Sequence, residues 1–96
     1  MFFQYFWNSS GDFAHQTINS LRAIGANITA DILQSAIDQF PAGIAPQDRY
    51  ERQDIMEQIE DVAEPIWAEL DDKFYEYQDD LNTLNLNFVR KNKKDF

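Results

Sequence analysis

The residues with the most obvious chemical potential in this sequence are the carboxylates between residues 48 and 80. This third of the chain holds 13 acidic and 3 basic residues, a balance of −10, and the remaining residues hold 4 acidic and 5 basic ones. The net charge of −9 therefore comes from a single stretch. Nucleic-acid binding needs a basic footprint, so this distribution argues against direct binding of DNA or RNA and favours a basic protein partner.

The acidic residues recur every three or four positions, which on an α-helix places successive carboxylates roughly 5 Å apart along the axis. Steps of three drift around the helix, so the charges form a spiral, with Glu57, Asp61 and Glu64 nearly in line. We expect a partner-binding acidic surface made by Asp54, Glu57, Glu60, Asp61, Glu64, Asp72, Glu76 and Asp80. The competing interpretation is a solvated helix face that aids solubility, together with several acidic helix caps.

Other chemistry finds little support. The pairs Asp71-Asp72 and Asp79-Asp80 offer oxygen ligands of the kind calcium or magnesium takes, but neither has the spacing of a calcium loop. His15 is the only histidine. A catalytic role would need an orienting acid such as Asp12, and a surface or half-buried position is the simpler expectation. We expect no enzyme, no metal site and no cofactor, and keep a carboxylate-dependent hydrolase as the alternative of another class.

Composition predicts one all-α domain over residues 1–96. Aromatic residues make up 15% of the chain and supply a large apolar area, and three glycines and three prolines leave little room for turn-rich β structure. The absence of cysteine fits a reducing, cytoplasmic location. The apolar residues 1–7 lack the basic start of a secretory signal and are too short to span a bilayer. They are interpreted as the end of a helix whose beginning is truncated.

The apolar periodicity predicts a compact bundle of about five to six short helices. After residues 1–7, a second helix is expected to be capped by Ser10 or Asp12 and stopped by a left-handed Gly25. A third should be capped by Thr29 and end before Pro41. Its apolar stripe comprises Ile32, Leu33, Ala36, Ile37 and Phe40.

A fourth helix is expected to begin at Asp48 and to bury Ile55, Ile59, Val62 and Ile66, supported by Met56 and Ala63. Pro65 should break it near residues 62–65 and open a further short helix, because proline removes a backbone hydrogen bond and clashes one turn back. Asp71 or Asp72 would cap another turn. Asp79 or Asp80 would cap a last helix, with Leu81, Leu84, Phe88 and Val89 directed inward.

Several strings together resemble the DNA-mimic protein family over nearly the whole chain. The most specific is the turn Asn8-Ser9-Ser10-Gly11-Asp12, which follows Phe3-Gln4-Tyr5-Phe6-Trp7. The others are Leu21-Arg22-Ala23-Ile24-Gly25-Ala26, Phe40-Pro41, Asp48-Arg49, Glu51-Arg52 and Leu70-Asp71-Asp72-Lys73-Phe74-Tyr75. These matching strings consist of turns, helix stops, caps and core aromatics, so none of them transfers a partner-contact residue.

The resemblance implies an all-α bacterial protein that regulates transcription. The best-known family member is an acidic helical dimer that occupies the DNA-binding surface of a helix-turn-helix repressor. For this chain we therefore expect a basic protein partner, with a helix-turn-helix transcription factor as the candidate, together with a homodimer and no membrane or nucleic-acid contact. The alternatives are an immunity-type inhibitor of a basic nuclease toxin and a structural domain of a larger protein.

Overall fold

The computed structural model describes residues 1–76, and these form four α-helices and two short 3₁₀ turns. Helix α1 covers Phe2–Trp7, α2 covers Ala14–Ala23, α3 covers Asn27–Ile37 and α4 covers Arg49–Glu76. The 3₁₀ turns are Ser9–Phe13 and Pro41–Gly43. Within the described residues there is no strand, so the predicted all-α fold is confirmed. The last helix expected after Asp79 or Asp80 lies outside them.

The long helix α4 organises the fold. Helices α1 and α3 both pack against α4, and α2 packs against α3. At 1.5 Å per residue its 28 residues extend for about 42 Å. Its buried seam consists of Arg52, Met56, Ala63, Trp67 and Leu70.

The predicted break at Pro65 is wrong, because α4 continues through the proline without a change of element. Pro65 lies on the exposed side of the helix, so the Asp61 carbonyl that loses its partner is accessible to water. On either side of it, Ala63 and Trp67 are each 1% exposed. Packing of these neighbours against α1 and α3 holds both halves of α4 in one helix, which overrides the local preference of proline.

The predicted apolar face of the fourth helix is also rotated from the observed one. Val62 is 70% exposed and Ile55, Ile59 and Ile66 are only partly buried, whereas Met56 and Ala63, expected as supporting residues, lie in the core. The seam differs because Trp67 and Arg52 occupy it. Neither residue belongs to the aliphatic pattern from which the face was predicted.

The link between α2 and α3 is shorter than predicted. Gly25 has a φ of 83°, which confirms the left-handed stop, and the Ala26 N–H donates to the Leu21 carbonyl at 2.8 Å. The chain enters α3 at once, so Asn27 begins the helix and Thr29 is not its cap. Thr29 is instead buried inside α3. All five residues of the predicted α3 stripe, from Ile32 to Phe40, are buried.

Aromatic rings fill the centre of the core. Phe6 and Phe40 are almost fully buried, and each ring centroid lies within 6 Å of that of Trp67, at 5.3 and 5.8 Å. The Trp67 indole N–H donates to the Ala36 carbonyl at 2.9 Å, which joins α4 to the C-terminal turn of α3. Phe13 and Tyr75 lie outside this core and are exposed.

Candidate functional site: the acidic surface of the long helix

The predicted acidic surface falls on a single helix as far as the structure describes it. Seven of its eight residues lie within α4 and all seven are exposed: Asp54, Glu57, Glu60, Asp61, Glu64, Asp72 and Glu76. Asp80 lies outside the described residues. With 3.6 residues per turn, six of the seven point away from the buried seam, and Glu60 lies beside the seam on the flank where α1 packs. The uninterrupted helix therefore carries the acidic residues on both sides of Pro65.

These seven carboxylates share a second property. Within residues 1–76, none of them forms an ion pair or a side-chain hydrogen bond. All seven are exposed to solvent, and neighbouring like charges on the helix repel by a few tenths of a kcal/mol per close pair. We will call these seven residues the acidic face.

Other acidic residues are committed to structure. The Asp48 carboxylate accepts the Glu51 N–H at 2.9 Å and caps α4, as predicted. Asp71 does not cap a following turn, since α4 continues past it. Its two oxygens instead accept the N-terminal ammonium of Met1 at 2.9 Å and the Phe2 N–H at 3.0 Å, which satisfies the start of α1.

The Asn8-Ser9-Ser10-Gly11-Asp12 turn is held by a buried arginine. The Arg52 guanidinium is fully buried and makes five hydrogen bonds. One goes to the Asp12 carboxylate at 2.7 Å, and the others go to the carbonyls of Phe6, Asn8, Pro46 and Gln47. Because Arg has five donors in a planar fork, one side chain connects α4 to the end of α1 and to the loop before α4.

The same contacts explain why the turn does not cap α2 as predicted. Asp12 points to Arg52, and to Arg49 at 3.2 Å, rather than to the amides of α2. These hydrogen bonds, that of Arg52 first, lower the pKa of Asp12 below its ordinary value. Ser10 donates to the Tyr5 carbonyl at 3.1 Å, and α2 begins without a side-chain cap.

Gly11 is required by close packing within this turn. It is buried, and a Cβ placed there would lie 2.7 Å from the Tyr5 carbonyl oxygen and 2.9 Å from the Phe6 Cα. Both obstructing atoms belong to the backbone, so no side-chain movement can make room. The most specific string in the sequence therefore has a structural role, and no residue of it belongs to the acidic face. We call Arg52 together with its five hydrogen bonds the Arg52 clamp.

His15 takes part in a loop contact. Its Nε2 accepts the Ala45 N–H at 3.2 Å and ties the loop before α4 to α2. The acid that would orient a catalytic histidine, Asp12, is paired with the two arginines. In the described part of the chain, no group of three or more His, Cys, Asp or Glu residues is arranged to hold a metal ion. Over the same residues, no helix has the length and apolarity needed to cross a membrane.

Sequence reasoning located the acidic face but missed the Arg52 clamp. The sequence does contain one indication that Arg52 is buried, which is its helical spacing from the core residues of α4. Arg52 precedes Met56, Ala63, Trp67 and Leu70 by 4, 11, 15 and 18 residues, so it lies on the same helix face. An arginine at such a position is normally assigned to the surface, since a charged side chain is almost never fully buried unless paired. Its partners come from residues 6–12, distant in sequence, and only the fold brings them together.

Over residues 1–76, the fold and the surface together define an acidic, all-α protein whose exposed carboxylates without an ion-pair partner lie along one long helix. The family model described as DMP19-like protein matches residues 2–92, so the chain belongs to the DMP19-like protein family. DMP19 denotes a DNA mimic protein, which supports the resemblance drawn from the sequence at the level of the family. Comparison with curated proteins gave no match, and neither did comparison with solved structures.

Proposed function

We propose that this protein is a protein-binding domain whose acidic face occupies the DNA-binding surface of a basic protein, with a helix-turn-helix transcription factor as the foremost candidate. The observation that carries the proposal is the set of seven exposed carboxylates without an ion-pair partner in residues 1–76, all on α4. Membership of the DMP19-like family supports the same function. The role is one of binding, with no reaction, cofactor or membrane contact.

The density of charge bears on how such mimicry would work. From Asp54 to Glu76 the helix advances about 33 Å, so seven carboxylates give about one charge per 5 Å of axis. Duplex DNA carries one charge per about 1.7 Å when both strands are counted. One α4 therefore has about a third of the charge density of DNA, and two copies side by side would approach it more closely. A homodimer is thus part of the proposal, and light scattering on the purified protein tests it.

A basic nuclease toxin is the second candidate partner, because its nucleic-acid cleft has the same charge as the DNA-binding surface of a transcription factor. The acidic face suits both targets equally. A toxin gene directly adjacent to the gene for this protein would favour the inhibitor function. Both partners operate where DNA does, so the proposal places the protein in the bacterial cytoplasm.

The decisive experiment compares two variants of equal net charge. The first neutralises the centre of the acidic face with Glu57→Gln, Asp61→Asn and Glu64→Gln. The second adds three positive charges elsewhere, at the exposed positions Gln16→Lys, Asn19→Lys and Ser35→Lys. Each changes the net charge from −9 to −6.

Wild-type protein should capture a DNA-binding protein from a lysate of its own source at low salt. It should release this partner at moderate salt, because salt screens contacts between exposed charges. It should also compete with DNA for the partner, because both would occupy the same surface. The first variant should lose this binding and the second should keep it. Circular dichroism should show the same helix content for all three. Equal binding by the two variants, or capture of only neutral and acidic proteins, would contradict the proposal.

A further inference from the structure

Two exposed tyrosines lie at the ends of the acidic face. Tyr50 is near the start of α4 and Tyr75 is near the end of its described part, and their side chains are 79% and 67% exposed. Single exposed aromatic residues are common on protein surfaces, so exposure alone indicates little. What distinguishes these two residues is their position relative to the carboxylates.

Both tyrosines lie in line with the carboxylates. An α-helix turns by about 100° per residue, so Tyr75 returns to within about 20° of the direction of Tyr50, about 38 Å further along the axis. Each tyrosine has a carboxylate about one turn inward from it, Asp54 beside Tyr50 and Asp72 beside Tyr75. Five carboxylates of the acidic face fall within about 40° of the direction of Tyr50: Asp54, Glu57, Asp61, Glu64 and Asp72.

Neither tyrosine contributes to the hydrophobic core. The Tyr75 ring contacts Phe74 edge to face, with ring centroids 5.8 Å apart, and Tyr50 has no aromatic contact within residues 1–76. Substitutions at such exposed positions usually change stability very little. Both rings are therefore available to contact another molecule, and each can be removed without loss of the fold.

A tyrosine ring close to a carboxylate is suited to arginine. The guanidinium group is planar and weakly hydrated, so it stacks on the face of the ring while its N–H groups donate to the carboxylate. The lysine ammonium also pairs with a carboxylate, but it is a compact, strongly hydrated charge that gains less from the ring. Tyrosine and arginine are both enriched at protein–protein interfaces.

We propose that Tyr50 and Tyr75 determine specificity at the acidic face by stacking on arginine side chains of the basic partner. This inference rests on the proposed function, because the carboxylates between the two rings attract the partner. The middle of the face attracts any cation, whereas its two ends select arginine over lysine. A partner that places arginines about 38 Å apart engages both ends together.

Two synthetic peptides of about twelve residues, one all arginine and one all lysine, test this selection. They carry equal charge, and in extended form each reaches about 40 Å, which spans both tyrosines. Isothermal titration calorimetry at low salt measures their affinities. Tyr50→Ala and Tyr75→Ala should each weaken binding of the arginine peptide by about two- to fivefold and that of the lysine peptide by less than about twofold. Tyr50→Phe should keep the preference for arginine, because it keeps the ring.

Val62→Ala is the matched control. Val62 is 70% exposed on the same helix but lies about 120° around the axis from Tyr50, so its loss should change neither affinity. These substitutions all leave the net charge at −9, so the long-range attraction of the peptides is the same in every variant.

The variant with Glu57→Gln, Asp61→Asn and Glu64→Gln separates this inference from the proposed function. It should weaken binding of both peptides, and unchanged binding would contradict the proposed function together with the inference. Suppose instead that it weakens both peptides, but the tyrosine variants affect the two peptides equally, or no more than Val62→Ala does. In that case the tyrosines do not select arginine, and only the inference is wrong.

Discussion

Replacing Arg52 with methionine should destabilise this protein more than any change at a comparable exposed arginine. The guanidinium is fully buried and its five hydrogen bonds all reach residues outside α4. Methionine preserves much of the side-chain volume but offers no donor. The substitution therefore isolates the polar contribution of the clamp from its packing.

The magnitude follows from the carbonyls that lose their donor. The Phe6 carbonyl is buried, and leaving a buried acceptor unsatisfied costs about 1–3 kcal/mol. The contacts to the carbonyls of Asn8, Pro46 and Gln47 are partly buried, and such hydrogen bonds contribute about 0.5–1.5 kcal/mol each. We expect a loss of about 3–5 kcal/mol in the free energy of unfolding, comparable with the breaking of other buried arginine pairs. For a domain of this size that lowers the thermal midpoint by about 15 °C or more.

Urea unfolding followed by the fluorescence of the two tryptophans, the half-buried Trp7 and the buried Trp67, measures this loss, and Arg49→Met is the matched control. Arg49 contacts the same carboxylate of Asp12 at 3.2 Å, but its side chain is 42% exposed, so its pair is screened by water and should matter little. If the two variants lose similar stability, burial of the guanidinium is not what makes the clamp important, and the reasoning fails.

Two further predictions concern the same turn. Gly11→Ala should lower the thermal midpoint by about 5–20 °C, because its Cβ would overlap the backbone at Tyr5 and Phe6. Ser9→Ala, at an exposed position, is the control, and an equal effect of both would argue against overlap. The lowered pKa of Asp12 predicts a dependence on acid. A carboxyl that holds its proton less tightly in the folded state adds stability above its ordinary pKa of 3.8, and this is lost as pH falls through the lower folded pKa. Urea midpoints measured from pH 7 to pH 2 should therefore fall less steeply for Asp12→Asn than for wild type, and parallel profiles would contradict the assignment.

The fold class and most of the helices were predictable because they depend on local signals. The stop at Gly25 follows from its tolerance of positive φ, and the cap at Asp48 follows from an oxygen placed three residues before a free amide. The α3 stripe was predicted correctly because its apolar residues repeat at the helical period without interruption. Each of these features is decided within one or two turns of chain.

The errors arose where distant contacts outweigh local preference. Pro65 disfavours helix locally, yet packing of Ala63 and Trp67 keeps α4 continuous. Thr29 is a good cap by type, but the tight turn at Gly25 starts α3 three residues earlier, with Ala26 at the cap position. The seven residues of the acidic face are exposed on one helix, and their role in partner binding stays a prediction.

The sequence by itself determined an acidic, all-α chain, the exposure of its mid-helix carboxylates and its family, because composition, helical periodicity and matching strings are properties of the chain alone. Only the tertiary structure decided which acids within residues 1–76 pair with distant groups. Asp12 and Asp71 bind groups that are 40 and 70 residues away, whereas Asp61 at the centre of α4 has no such partner in the described residues. Pairing depends on which distant groups the fold brings within hydrogen-bond distance, and no spacing along the chain records that.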